Sequence, residues 1–322
     1  MKRNLGIDIF HVVLIYGIVV YHAFFTGNYA SGLESRMWTW CVPGFAFISG
    51  FFGVRFRLSK IIHLWVVASL CFIPVLLIGG RFLQLIVQAW YLHAYTILLL
   101  LSPIINGAIE NYSKDGKHLD LRLCLVGVLI LGVWSWLSEL AYCRIIIPRP
   151  RGLGALSFVT ILVLYILGRS YRLNPEKFTI FDRGRVYWFL SSVLLLPFLG
   201  HYTSPVVIIL VVIMFKFFER IEIKAKKGKY LRYFVGSGFT IYLLHANWQV
   251  LPRLNELSCY LIEALHFPRY IGLLFSSAIV FLFCFIIYML GIFIFYPLSV
   301  PYKKLLAWVD NRFQKFLNEK SL

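Results

Sequence analysis

Apolar runs of about 18 residues or more recur from end to end of this 322-residue chain. Runs of that length cross the hydrocarbon core of a bilayer as helices, because backbone in lipid must satisfy its own hydrogen bonds. Ten spans are expected, over about 5–25, 37–54, 60–79, 86–106, 121–142, 152–169, 185–200, 203–219, 231–251 and 269–297. Only 14% of the residues are charged, against about a quarter in soluble domains, and the mean hydropathy is +0.78. The expectation is an all-α, polytopic integral membrane helical bundle. No linker, internal repeat or low-complexity tract divides it, so a membrane-embedded body is expected over 1–300 and a cytoplasmic amphipathic tail over 301–322.

Lys and Arg orient the spans, since they concentrate on the cytoplasmic side. With the N-terminus inside and ten spans, the inner segments hold 25 of the 32 Lys and Arg and the outer segments seven, which places both termini in the cytoplasm. The net charge of +18 is then accounted for by inner-edge cations beside anionic headgroups, with no nucleic acid required. One outer segment breaks the bias: CRIIIPRPRG, 143–152, carries three Arg. It reads as a headgroup contact or as a site for an anionic acceptor.

Loops are short. The outer segment 253–269 has apolar residues at helical spacing and is expected to form a short surface helix. The tail PYKKLLAWVDNRFQKFL, 301–317, places Leu305, Trp308, Val309, Phe313, Phe316 and Leu317 on one side, as an interfacial helix requires. The six cysteines are scattered without a CxxC, and a Cys143–Cys259 bridge on the outer side stays open. The basic, apolar N-terminus resembles a signal peptide but is too long and carries histidines, so it reads as a retained span.

The first span, GIDIFHVVLIYGIVVYHAFF, carries Asp8, His11 and His22 at hydrocarbon depth, where ionisable groups are costly unless they line a polar cavity. His11 and His22 are eleven residues apart, about three turns, so both rings face one side about 16 Å apart along the axis. Asp8 precedes His11 by three residues, within reach of it. A neutral imidazole can take and return a proton, as general-base chemistry at a hydroxyl demands. The plainer alternative is a buried histidine bonded to a neighbouring helix. Other spans add Ser49; the inner-edge bases Arg55, Arg57, Lys60 and His63; His93 and Tyr95; Glu139; and Tyr242 with His245. Lys60 and His63 are three apart and share a face. Together these groups read as the lining of one polar cavity between helices. The histidines are too dispersed for a metal site, and none is expected.

In order along the chain, GIDIFH with His22, FAFISGFF, WYLHAYTILLLLSPIIN and GFTIYLLH resemble the motifs of acyltransferase family 3, the bacterial membrane-bound acyltransferases of surface and secreted polysaccharides. The resemblance spans almost the whole chain, and each piece alone is weak. Three positions depart from it. His11 stands where the family has Arg or Lys, Lys60 and His63 replace an Arg pair, and Ser237 or Thr240 stands in for a serine of the late motif. Imidazole is a weaker, pH-dependent cation and cannot grip phosphate in two-pronged fashion.

The resemblance implies transfer of an acyl group, most often acetyl, from cytoplasmic acyl-CoA to a sugar hydroxyl of a cell-surface polysaccharide, an exopolysaccharide or a lipid-linked precursor. It further implies a bacterial inner-membrane, multi-pass location, with acetyl-CoA as donor substrate and no bound cofactor. On that reading His22 is the catalytic base and His11, ordered by Asp8, helps to hold the donor. Tyr242 and Ser49 donate to the developing oxyanion, and Arg55, Arg57, Lys60 and His63 meet the CoA phosphates. Glu139, Arg149, Arg151 and His245 meet the acceptor. The competing classes are a transporter or flippase of a lipid-linked saccharide, for which the chain lacks the usual repeated halves, and a catalytically inactive family member acting as a membrane partner. A glycan polymerase is disfavoured by the short outer loops.

Overall fold

A computed structural model describes residues 4–26, 28–29, 31–77, 90–114, 155–182, 184–199, 204–222, 228–245 and 250–320. All regular structure among them is helical. The helices are α1 (Leu5–Phe25), α2 (Gly32–Arg36), α3 (Cys41–Phe52), α4 (Leu58–Leu77), α5 (Trp90–Lys114), α6 (Ala155–Leu173), α7 (Arg185–Leu199), α8 (Pro205–Glu219), α9 (Gly228–His245), α10 (Val250–Cys259), α11 (Arg269–Phe295) and α12 (Ser299–Lys320). By length and composition, three stretches among the described residues can cross a membrane: Leu5–Phe25, Trp90–Asn111 and the run Arg269–Phe316. Leu58–Ile73 and Val186–Phe198 are shorter apolar helices. Helices overlie each expected span except 121–142, which lies outside the described residues.

α1 is the central helix. Its start is capped by Asn4, whose Oδ1 accepts from the Gly6 and Ile7 amides at 2.9 and 3.3 Å, while its Nδ2 donates to the Glu219 carbonyl at the end of α8 at 2.7 Å. Gly6 allows that junction to close: a Cβ there would stand 1.9 Å from the Phe218 carbonyl oxygen. Further along, a Cβ on Gly17 would meet the Cys41 sulfur at 2.3 Å. The apolar residues of α1 divide by helical spacing into two faces. Ile7, Phe10, Leu14 and Ile18 join the core built from α3, α5, α6 and α8. Ile15, Val19 and Ala23 join a second core with α9, α10 and α11.

Aromatic rings fill the first core. Phe215 of α8 lies 5.0 Å from Phe47 and 4.8 Å from Phe51 of α3, and Phe10 packs between Trp40 and Phe218. α3 and α6 meet backbone to backbone. A Cβ on Gly50 would stand 2.0 Å from the Tyr165 carbonyl oxygen, and one on Gly168 would stand 2.1 Å from that of Phe47. Small residues at such crossings permit the close van der Waals approach that holds membrane helices together. α3 ends at Gly53, whose φ of 66° closes the helix with its amide on the Ser49 and Gly50 carbonyls.

The chain between α6 and α7 forms a 3₁₀ helix, Pro175–Phe181, held by one buried cation. Lys216 of α8 is only 5% exposed; it donates to the Phe178 carbonyl at 2.9 Å and pairs with Asp182 at 2.8 Å, and Arg220 holds the other Asp182 oxygen at 2.6 Å. Burial pushes the Asp182 carboxyl up, but Lys216 and Arg220 outweigh it and hold the group below the usual carboxylate range.

At the far end of α1, Arg269 pairs with Glu34 and donates to the Tyr29 carbonyl, and the Tyr29 hydroxyl donates to Glu263 at 2.7 Å. The short helix expected within 253–269 is present, beginning earlier as α10 and continuing as a π-helical turn, Tyr260–Ala264. Cys259 is a free thiol, and Cys143, the other half of the bridge left open by the sequence, lies outside the described residues.

The tail is helical as expected, and it docks on the body of the molecule. The Asp310 carboxylate accepts from the Ser59 amide at 2.9 Å and from its hydroxyl at 2.5 Å, capping α4 from a distance. Tyr302 meets His63 at 3.2 Å and Phe313 packs on Phe56. The apolar face therefore splits. Val309 and Phe313 turn inward, while Leu305, Trp308 and Phe316 stay exposed.

Two outcomes follow for stability. Gly168→Leu forces α6 off α3 and costs more than about 4 kcal/mol, read as loss of folded protein in detergent. Asp182→Asn strands Lys216 and lowers stability by about 2 kcal/mol. The Asp182 carboxyl binds its proton less readily folded than unfolded, so its contribution is full above about pH 4 and disappears as pH falls through the folded value. The wild type therefore loses thermal stability on acidification more steeply than Asp182→Asn.

Candidate functional site

A cavity of about 220 Å³ opens between α1, α3, α4, α5 and α9. Its walls are mostly apolar, from Ile15, Ile18, Val42, Phe45, Leu64 and Phe239, and the polar groups that reach it are His11, Ser49, Lys60, Tyr91, Tyr95, Tyr242 and His245. An apolar chamber with a few convergent polar groups is the usual form of a small-molecule site.

Contacts along the helices give the chamber a direction. Leu5 meets Gly228, Ile15 meets Gly238 and His22 meets His245, so α1 and α9 run parallel. On α4, Ala68 and Phe72 pack with Leu243 of α9, which leaves Lys60 roughly 12 Å or more further toward the start of both helices. Lys60 and His245 therefore mark opposite ends.

At the Lys60 end, the ammonium donates to the Tyr95 hydroxyl at 3.3 Å and lies 5.5 Å from that ring's centre. Among the described residues no carboxylate pairs with it. Ser49 lies beside the same hydroxyl. Tyr91, one turn before Tyr95, stacks on it at 6.0 Å. As an amide in the first turn of α5, the Tyr91 N–H has no acceptor within its own helix; it donates instead to the Tyr242 hydroxyl at 3.3 Å. His11 packs edge-on to Phe45 at 4.8 Å, its Nε2 turned toward Gly238.

At the other end, His245 is fully buried. Its Nδ1 lies 2.7 Å from the Ile241 carbonyl oxygen. A carbonyl only accepts, so Nδ1 carries the proton and the neutral ring's Nε2 is a bare acceptor. That Nε2 is buried and has no partner. His22 packs against the ring, centroids 5.2 Å apart and planes at 62°, and its own Nδ1 is likewise buried and unpartnered. Each such atom costs about 1–3 kcal/mol in a fold with nothing to bind.

Of the residues expected from the sequence, His11, Ser49, Lys60, Tyr95, Tyr242 and His245 line the chamber together. His22 does not; it packs on His245, outside the lining. Asp8 also lies outside it. Arg55 and Arg57 are exposed in the α3–α4 connection, and His63 turns to Tyr302 of α12. The expected basic cluster is thus divided: three residues advance a helix by about 300°, and the 60° offset separates a lysine that reaches inward from an imidazole taken up by the tail. Ser237 donates to the Phe234 carbonyl at 2.7 Å within its own helix and does not line the chamber, and neither does Thr240. Glu139, Arg149 and Arg151 lie outside the described residues. His93 is edge-on to Trp65 and away from the lining. Among the described residues no three His, Cys, Asp or Glu side chains gather as metal ligands.

Tyr91 as a wall residue was missed. The legible signal was its four-residue spacing from Tyr95, which puts both rings on one helical face.

No protein-family model matches the chain, and no curated protein or solved structure matches it either.

A half-buried cation without a carboxylate is tolerated for use rather than for stability. Lys60→Met is expected to raise stability by about 1 kcal/mol, a few degrees in detergent melting temperature. A lower melting temperature would show that the Tyr95 contact holds the fold.

Proposed function

We propose that the chain is a ten-span protein of the bacterial cytoplasmic membrane, with both termini inside, that transfers an acyl group from cytoplasmic acyl-CoA to a sugar hydroxyl. The acyl group is acetyl in the first instance, and the acceptor is a surface saccharide, an exopolysaccharide or a lipid-linked precursor. The observation that carries the reading is the chamber. Six of the residues that the sequence sets apart as lining a polar cavity, from position 11 to position 245, converge on one cavity of a size and lining suited to an acyl thioester. Helix directions agree with the span count: α1 and α9 are parallel, whereas Lys60 of α4 lies beside Tyr95 of α5 and Ala68 beside Leu92, so that pair is antiparallel.

In this reading the donor enters at the Lys60 end, where the exposed Arg55 and Arg57 stand nearby as counter-charges for CoA phosphates. Lys60 and the Ser49 and Tyr95 hydroxyls hold the polar part of the donor, and the Ile15, Ile18 and Phe45 walls take the acyl group. Tyr242, in the chamber wall, is placed to donate to the thioester oxygen as it gains charge. His11 is a second polar contact along the same wall.

The test uses membranes carrying the protein, acetyl-CoA labelled in the acetyl group, and saccharide from the source cells. Label is expected in the saccharide fraction. Lys60→Met should raise the donor KM by about tenfold, the loss of one charge-assisted contact. Absence of any transfer by the wild type would remove the enzyme reading.

A further inference from the structure

We propose that His245, not His22, is the group that takes the proton from a hydroxyl entering this chamber, and that the acceptor therefore approaches from the His245 end, opposite Lys60. The role rests on the acyl-transfer reading; the state of the nitrogen rests on geometry alone.

The two imidazoles are not equivalent. His245 forms part of the chamber wall, whereas His22 is not in that wall and packs on the His245 ring. The Nδ1 proton of His245 is committed to the Ile241 carbonyl at 2.7 Å, which fixes the ring's orientation and leaves Nε2 as a lone-pair acceptor without a partner in a fully buried residue. Other buried side-chain atoms lack a partner too, on His22, His93, Arg169, Ser170 and Arg269. Of these residues His245 is the one that lines the chamber, where a ligand that donates a hydrogen bond would answer it. A carboxylate or phosphate oxygen does not answer it, whereas an O–H does. Lys60 presents the opposite chemistry at the far end, a donor with no carboxylate beside it among the described residues. The chamber is thus polarised, with an anion-seeking end and a hydroxyl-seeking end.

The step balances without a further reactant. As the hydroxyl oxygen bonds to the thioester carbonyl carbon, its proton passes to His245 Nε2. The tetrahedral adduct collapses with cleavage of the C–S bond, and the imidazolium returns the proton to the departing CoA sulfur. The products are the ester and free CoA thiol, and His245 regains its neutral form. The Ile241 carbonyl, already bonded to Nδ1–H, faces the imidazolium while it exists. His22 is a positioning residue, packed against the His245 ring.

The experiment has two arms. In protein carrying ¹⁵N-labelled histidine in lipid nanodiscs at pH 7, the resonances absent from His245→Gln should show a proton on Nδ1 and a bare Nε2. That Nε2 resonance should move on addition of octyl glucoside, a hydroxyl-bearing probe, and stay in place with dodecane. A proton on Nε2, an imidazolium, or indifference to octyl glucoside overturns the assignment. In the second arm, His245→Gln should lower kcat for label transfer by about 100-fold or more with donor KM within about threefold. His22→Phe, which keeps a ring against His245, should lose less. Transfer by His245→Gln within threefold of wild type, or a loss in His22→Phe as large as in His245→Gln, overturns the role. Wild type that transfers no label defeats the acyl-transfer reading, and the nanodisc arm then decides by itself whether this nitrogen receives a hydroxyl.

Discussion

Everything in this molecule depends on how closely α1 approaches its neighbours. In lipid, helices gain nothing by hiding apolar surface from water, so association rests on close packing and on hydrogen bonds between elements. Gly6 against the Phe218 carbonyl, Gly17 against Cys41 and the doubly bonded Asn4 lock α1 to α8 and α3. With that helix fixed, one face builds the aromatic core around Phe10, Phe47 and Phe215. The other meets α9, with His11 near Gly238 and His22 against His245. Where α1 and α9 separate from α3, α4 and α5, the chamber is the space left over.

The polar groups around that space fall into two sorts. Those that hold the fold are paired with opposite or accepting groups: Lys216 on Asp182 and Phe178, Arg269 on Glu34, Asp310 on Ser59, and Arg169 on Glu110, with the Nε of each arginine left over. Those in and beside the chamber are left partly unsatisfied among the described residues: Lys60 without a carboxylate, and His245 Nε2 and His22 Nδ1 without a partner. Interiors of low polarity penalise such groups severely. Buried atoms without a partner also occur on His93, Arg169, Ser170 and Arg269, away from the cavity; what sets the cavity apart is that Lys60 and His245 face one open space that a ligand can fill.

The tail adds a connection between the chamber and the protein's end. Asp310 caps the first turn of α4, the same turn that carries Lys60, and Tyr302 takes up His63 one turn later. The helix holding the chamber's cation is therefore positioned from both sides, by Tyr95 within the bundle and by α12 from outside it.

Much of this was legible in the residues. Long apolar runs dictate helices, because a backbone in hydrocarbon has no other means of pairing its amides and carbonyls. Ionisable side chains within those runs point to a polar interior, and His11, Ser49, Lys60, Tyr95, Tyr242 and His245 do converge there. Spacing within one helix fails where two candidates differ by a small rotation or by what their neighbours offer. His63 lies about 60° from Lys60 and is claimed by Tyr302. His22 shares the α9-facing side of α1 with His11 but packs on the His245 ring and is not in the chamber wall. Tyr91 enters the site only because α9 brings Tyr242 to its amide. The sequence by itself determined the helices, their apolar faces and the set of polar groups that needed burial, since these follow from local periodicity and the cost of charge in lipid. Tertiary packing alone decided which imidazole lines the chamber, which base turns inward and where the tail docks, since each depends on contacts between residues some 35 to 250 positions apart along the chain.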